Sequence, residues 1–158
     1  MTKNIFVYVG TYTRKGSEGI YVYRMDPESS DLELAGKPVN VNNPSFLAIE
    51  PRKRYLYAVN EVQSFEGEKS GAVSAFSIDP KTGGLTFLNI KSSKGTSPCY
   101  VTVDGTGRYV LVANYSSGSI CVLPVMDDGS LGDATDFIQH EGSSVNPERQ
   151  EGPHAHSI

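Results

Sequence analysis

Residues 44–49 (PSFLAI) and residues 98–103 (PCYVTV) follow one pattern, a proline followed by five residues that suit a β-strand. The two segments lie 54 residues apart. The segments that come after them, 54–60 (RYLYAVN) and 108–114 (RYVLVAN), keep the same spacing. A spacing that holds over two successive segments indicates an internal repeat. We therefore expect both parts of the chain to fold in the same way.

The repeat extends in both directions from these segments. Residues 71–76 (GAVSAF) match 118–123 (GSICVL), but the spacing falls to 47 residues, so the earlier copy carries seven additional residues around 63–70. Near the N-terminus, residues 5–10 resemble the second segment and residues 20–26 the third, with no counterpart of the first. The predicted units are about 1–40, 41–92 and 93–142, with the start of a fourth at 153–158.

Each unit is predicted to form four short strands, because strand-forming residues alternate with Gly, Pro and Asn breaks at intervals of about ten residues. One such sheet cannot cover both of its faces, so units of this kind pack around an axis as blades of a β-propeller. We predict an all-β protein with blades of four antiparallel strands. About three blades do not close a ring, so we expect a fragment of a longer protein or a self-assembling part.

Charge and composition restrict the partners of the protein. The formal net charge is −4 and no run of Lys or Arg occurs, which argues against nucleic acid and anionic membranes. A small anionic ligand is still compatible with this charge, because one or two Arg side chains can bind it. The sequence contains no long apolar stretch, and its first residues lack the features of a signal peptide, so we expect a cytoplasmic protein.

The two cysteines, Cys99 and Cys121, fall on the first and third predicted strands of one unit. Two strand spacings separate them by about 10 Å, which exceeds the Cα separation that a disulfide allows. We expect both to be reduced packing residues.

The last segment of the chain departs from the residue pattern of the repeat by carrying histidines. The start of the predicted fourth unit, 153–158, places His154 and His156 on a first strand, and first strands line the central channel of a propeller. The two side chains are i, i+2 and share one face of the strand. His156 stands where the earlier copies have Leu47 and Val101. This break of the pattern is where we expect function.

Two long loops are predicted on the rim where His154 and His156 lie. They are the insertion near 63–70 and the connection 141–152, which contains Arg149, a donor suited to carboxylate or phosphate. Asn60 and Asn114 end second strands on this rim. Simpler interpretations stay open for all of these residues. The alternatives are a solvated loop charge for Arg149, hydrogen bonds to turn backbone only for the asparagines, and a hydrogen-bonded channel histidine for His156. The His-x-His pair lacks a third metal ligand.

Four stretches of the sequence together resemble a known family. They are residues 149–157 (RQEGPHAHS), 8–12 (YVGTY), 57–61 (YAVNE) and 112–119 (VANYSSGS). Taken in their order along the chain, these stretches are similar to the lactonase family of seven-bladed β-propellers, which includes 6-phosphogluconolactonases and 3-carboxy-cis,cis-muconate lactonising enzymes. The resemblance implies seven blades, about three of them in this chain, and an active site of His, Arg and Glu at the channel mouth.

The resemblance also implies roles for particular residues. By strand register, His156 corresponds to the proposed catalytic His of the family, and we expect it to act as a general base on water. Arg149 and His154 are our candidates for anchoring an anionic substrate, and Gln150 and Asn114 are further candidates for substrate binding. Further Arg and Glu residues would lie beyond residue 158. The scheme implies no cofactor and no metal. The expected substrate is a small anionic lactone of a sugar acid, namely 6-phosphogluconolactone.

Two other functions remain open at this point. The first is a cycloisomerase that closes 3-carboxy-cis,cis-muconate to a lactone at the same site. The second is a non-catalytic propeller that binds a partner on one rim. It would tolerate changes at His154 and His156.

Overall fold

The computed structural model describes residues 4–158, and in this part of the chain every regular element is a β-strand. The first sheet contains β1 (Ile5–Val9), β2 (Gly19–Met25), β3 (Leu32–Leu34) and β4 (Val39–Asn40). Both β3 and β4 pair with β2 on the side away from β1, so they form one interrupted outer strand.

The second and third sheets are complete four-stranded antiparallel meanders. The second contains β5 (Leu47–Ile49), β6 (Tyr55–Asn60), β7 (Ala72–Ile78) and β8 (Leu85–Ser92). The third contains β9 (Pro98–Val103), β10 (Tyr109–Asn114), β11 (Ser119–Pro124) and β12 (Asp136–Gln139). In each sheet the strands are neighbours in chain order. The predicted fold class, all-β with propeller blades of four antiparallel strands, is confirmed.

The strand register matches the spacing that the sequence repeat predicts. Asn60 at the end of β6 lies opposite Ala72, and Asn114 at the end of β10 lies opposite Ser119. The β6–β7 connection is therefore longer than the β10–β11 turn, as the insertion in the earlier copy requires.

Strand β6 shows how neighbouring sheets form the core. Leu56 and Ala58 pack toward the first sheet, whereas Tyr57 and Val59 pack toward the third, and all four side chains are fully buried. A strand that is covered on both faces needs apolar residues at every position. This explains the continuous apolar run of β6. The Leu and Val side chains of this run each contribute about 1.5–3 kcal/mol when they are buried.

Neither of the two cysteines forms a disulfide. Cys99 on β9 and Cys121 on β11 are both free, and burial raises the pKa of the Cys121 thiol to about 12.

Residues 153–158 form no strand ladder, although Pro153 packs on Gly118 at the start of the third strand of the third sheet. Within residues 4–158, no helix is long and apolar enough to cross a membrane.

Candidate active site

The loops on one rim are connected by side-chain hydrogen bonds. Gln63, in the long β6–β7 connection, donates from Nε2 to Ser97 Oγ at 2.6 Å and to Ser116 Oγ at 3.2 Å. Ser97 precedes β9, and Ser116 lies in the β10–β11 turn. Residues of three different connections therefore meet on the rim from which the final segment begins.

Tyr115 is the residue on which the histidine pair packs. Its ring is stacked on His154 at a centroid distance of 4.6 Å and an interplanar angle of 20°. The ring of His156 meets it edge-on at 4.8 Å and 79°. Both imidazoles therefore lie on one side of the final segment and contact the same aromatic ring, which limits their rotation.

The hydrogen bond of His156 defines its tautomer. Its Nδ1 lies 3.0 Å from the backbone oxygen of His154. A carbonyl oxygen only accepts, so Nδ1 carries the proton and the neutral ring presents its lone pair at Nε2. The side chain is exposed at this rim. An oriented imidazole with an accessible Nε2 lone pair is the arrangement that general-base catalysis needs.

His154 is held more tightly than His156. Its Nδ1 lies 3.1 Å from the backbone oxygen of Tyr115, and its Nε2 lies 3.2 Å from Oε1 of Glu151. Both ring nitrogens face oxygen acceptors, an arrangement that the imidazolium form satisfies. His154 is also half-buried. These contacts make it a residue that positions the final segment beside the rim.

A cavity of about 660 Å³ lies beside the histidine pair. Arg149, Gln150, His154 and His156 all line it, so the structure brings together four of the five residues that the sequence nominates. Arg149 forms no salt bridge within residues 4–158, so its guanidinium is available to an anionic ligand. Gln150 uses its Oε1 to accept the backbone N–H of Asn146 at 3.0 Å, which stabilises the loop.

Asn114 is the fifth nominated residue, and it does not line the cavity. Its side chain is fully buried, and Nδ2 donates to the backbone oxygen of Ser93 at 3.0 Å and to Ser119 Oγ at 3.2 Å. A side chain without exposed surface cannot contact substrate in this arrangement. Asn60, at the matching position, likewise donates to the backbone oxygen of Asn42. Both asparagines thus bond the backbone of the preceding connection, as the simpler interpretation proposed, but each also bonds a serine side chain, Ser119 for Asn114 and Ser74 for Asn60.

Sequence reasoning missed Tyr115 and Glu151 as parts of the site. The sequence could have indicated Tyr115, because this residue directly follows Asn114 at the end of a second strand, on the rim where the histidine pair was predicted. Glu151 lies three residues before His154, but nothing in that spacing shows which atom it would contact. Within the described residues, no group of three His, Cys, Asp or Glu side chains is arranged as a metal site.

The structure thus combines propeller blades of four antiparallel strands with a His- and Arg-lined cavity on one rim. The family model for the seven-bladed β-propeller lactonases matches residues 6–158. The chain belongs to the lactonase family of seven-bladed β-propellers, as the sequence resemblance predicted.

Individual relatives agree with this assignment. A 6-phosphogluconolactonase of Bacillus subtilis (strain 168) is 42% identical over 99% of this chain and 43% of its own length. A 6-phosphogluconolactonase of Formosa agariphila is 30% identical over 96% of this chain and 42% of its own length. The solved structure of a periplasmic gluconolactonase from Pseudomonas aeruginosa matches with a TM-score of 0.87 and 36% identity, covering 98% of this chain and 43% of that one. The chain thus spans less than half the length of these relatives.

Proposed function

We propose that the protein, with its ring of blades complete, hydrolyses the lactone of a sugar acid, with 6-phosphogluconolactone as substrate. The observation that carries this proposal is the orientation of His156, whose Nδ1 proton is held by a backbone carbonyl so that Nε2 presents its lone pair at the rim. The names of the Bacillus subtilis and Formosa agariphila relatives support the choice of lactone.

In the proposed reaction, His156 Nε2 removes a proton from a water molecule as the water oxygen attacks the lactone carbonyl carbon. The carbonyl π electrons move to oxygen and form a tetrahedral oxyanion. When the oxyanion collapses, the ring C–O bond breaks, and the leaving alkoxide takes the proton from the His156 imidazolium. The products are a carboxylic acid, which ionises, and an alcohol on one open chain.

Arg149 provides positive charge at the proposed site, and His154 is a second candidate for anchoring the substrate. A guanidinium binds phosphate or carboxylate through two parallel hydrogen bonds, so Arg149 is suited to the anionic end of the substrate. Stabilisation of the oxyanion requires donors close to the lactone carbonyl. We assign these donors to Arg residues outside this chain, as the family resemblance implies. The scheme uses neither a cofactor nor a metal.

The test compares His156→Ala with His140→Ala in the full-length protein. His140 is a matched control, because it is exposed and lies outside the cavity lining. We expect His156→Ala to lower kcat/KM for 6-phosphogluconolactone by about 100-fold or more, and His140→Ala to leave it within about twofold. Unchanged activity in His156→Ala would remove His156 from the mechanism.

Parallel assays separate the proposed function from its alternatives. Turnover of 3-carboxy-cis,cis-muconate without hydrolysis of 6-phosphogluconolactone would support the cycloisomerase. Absence of turnover for both compounds would support a non-catalytic binding propeller. We propose no nucleic-acid or membrane partner.

We also propose that the protein is located in the cytoplasm. Two free cysteines suit the reducing cytoplasm, whereas the Pseudomonas aeruginosa relative is described as periplasmic. Cell fractionation with an antibody to the native protein distinguishes the two locations.

A further inference from the structure

Glu61 carries a half-buried carboxylate on the same rim as His154 and His156. The proposed mechanism does not use this carboxylate. It follows Asn60 at the end of β6, as Tyr115 follows Asn114 at the end of β10. The repeat therefore places Glu61 in the second sheet where the third sheet has the residue that supports the histidine pair. A half-buried carboxylate at this position requires an explanation, because carboxylates are mostly exposed.

The hydrogen bonds of Glu61 show that it already accepts from hydroxyl groups. Its Oε2 accepts from the Tyr12 hydroxyl at 2.8 Å and from Ser45 Oγ at 2.5 Å. Its hydrogen bond with Tyr12 raises the pKa of the tyrosine. Within residues 4–158, Glu61 has no salt-bridge partner and its Oε1 accepts no hydrogen bond. One carboxylate oxygen is therefore in use, and the other is available to a further donor.

Cys99 connects Glu61 with the final segment. Its Sγ lies 3.4 Å from the backbone oxygen of Ala155 and 3.9 Å from that of His156. Burial and the nearby negative charge of Glu61 raise the pKa of the Cys99 thiol. Cys99 therefore lies near the charge of Glu61 and against the backbone of residues 155–156, while Glu61 itself lies outside the lining of the cavity beside His156.

Two side chains on this rim, Arg149 and Glu61, carry opposite charges. Arg149 lies in the cavity beside His156 and is suited to an anionic group, whereas Glu61 repels anions and accepts hydrogen bonds. A substrate with an anionic end and several hydroxyl groups matches both features. We propose that Glu61 determines specificity for polyhydroxylated lactones by accepting hydrogen bonds from ring hydroxyls of the substrate, an inference that rests on the lactonase function proposed above.

The test uses two uncharged lactones with the same six-membered ring. Glucono-δ-lactone carries hydroxyl groups on the ring, and δ-valerolactone carries none, so their difference does not involve the anionic end of the natural substrate. In the full-length protein, we expect Glu61→Gln to lower kcat/KM for glucono-δ-lactone about tenfold, mainly through KM, because a charge-assisted hydrogen bond is lost. The value for δ-valerolactone should stay within about twofold.

The matched control is Glu66→Gln, an exposed carboxylate in the same β6–β7 connection, which should change neither value. Thermal melting of Glu61→Gln shows whether the variant is folded. An equal loss for both lactones, or no loss for either, would overturn the role of Glu61 while leaving the lactonase function intact. If the wild-type protein hydrolyses no lactone at all, the proposed function fails, and this inference fails with it.

Discussion

The residues of the candidate site differ in how firmly the fold holds them. His154 is fixed by ring stacking and by contacts at both nitrogens, whereas His156 has one hydrogen bond and an exposed ring. A base that must reach a substrate needs one fixed nitrogen and one free nitrogen, and His156 has both. Tyr115 contacts both rings, so its side chain controls their relative orientation.

This arrangement leads to a prediction for Tyr115. Tyr115→Ala should lower kcat/KM of the full-length enzyme by about 10- to 100-fold, because misplacement of a catalytic group by about 1 Å has an effect of this size. Tyr115→Phe keeps the aromatic ring and should stay within about threefold of wild type. Steady-state kinetics with 6-phosphogluconolactone measures both values. Equal losses in the two variants would show that the hydroxyl group matters and not the ring.

At the scale of elements, the turns on the opposite rim share one stabilising device. Glu50 follows β5 and accepts the backbone N–H groups of Arg52 and Arg54 at 2.8 and 2.9 Å. Asp104 follows β9 and accepts the N–H groups of Thr106 and Arg108 at 3.0 and 2.8 Å. The same offsets occur in both repeats, so a carboxylate cap organises the turn between the first and second strands of a blade.

The Asp104 cap makes stability depend on pH. The Thr106 hydroxyl, followed by backbone N–H groups of the turn, lowers the pKa of Asp104 from 3.8 to about 2. A lowered pKa means that the stabilisation is fully present above about pH 4 and is lost as the pH falls toward 2.

We therefore expect Asp104→Asn to lower the Tm at pH 7 by roughly 2 °C, a small change because the turn is exposed to solvent. The difference from wild type should disappear near pH 2. Asp127→Asn, at an exposed carboxylate on the same rim, is the control and should leave the Tm unchanged at both pH values. A Tm difference for Asp104→Asn that persists at low pH would contradict the role of the cap.

At the scale of the whole molecule, the three sheets leave two surfaces without a neighbouring sheet. In residues 4–158, β1 pairs only with β2, and the inner position that β5 and β9 take in the other sheets is not filled. At the other end, β12 is exposed along its whole length, including Phe137 and Ile138. Propellers cover such surfaces by closing the ring.

The family assignment predicts how the ring closes. The 156 aligned residues correspond to 43% of the Bacillus subtilis relative, so a ring of the same proportions has a mass a little over twice 17.1 kDa. We expect the native gene product to have this mass as a monomer in light scattering and in denaturing mass spectrometry. A polypeptide of 17.1 kDa in a larger native particle would instead show that several chains form the ring. A native monomer of 17.1 kDa would contradict ring closure.

The blades could be predicted from the sequence because a propeller repeats local information. A proline, alternating strand residues and turn residues recur in the same sequence in the second and third units, despite the seven additional residues in the second, so each of these units specifies its own strands locally. The same register placed His154 and His156 at the start of a further unit and identified their departure from the aliphatic pattern. Membership in the lactonase family followed from these residues and their flanking motif.

Contacts between units could not be derived in this way. Asn114 and Arg149 were both nominated on the same rim, yet Asn114 is buried and bonds a serine carbonyl while Arg149 lines the cavity. The support of both histidines by Tyr115, and the hydrogen bond between Tyr12 and Glu61, join residues of different units that are up to 49 positions apart. Such contacts depend on how adjacent sheets twist and pack, and spacing along one strand carries no information about that.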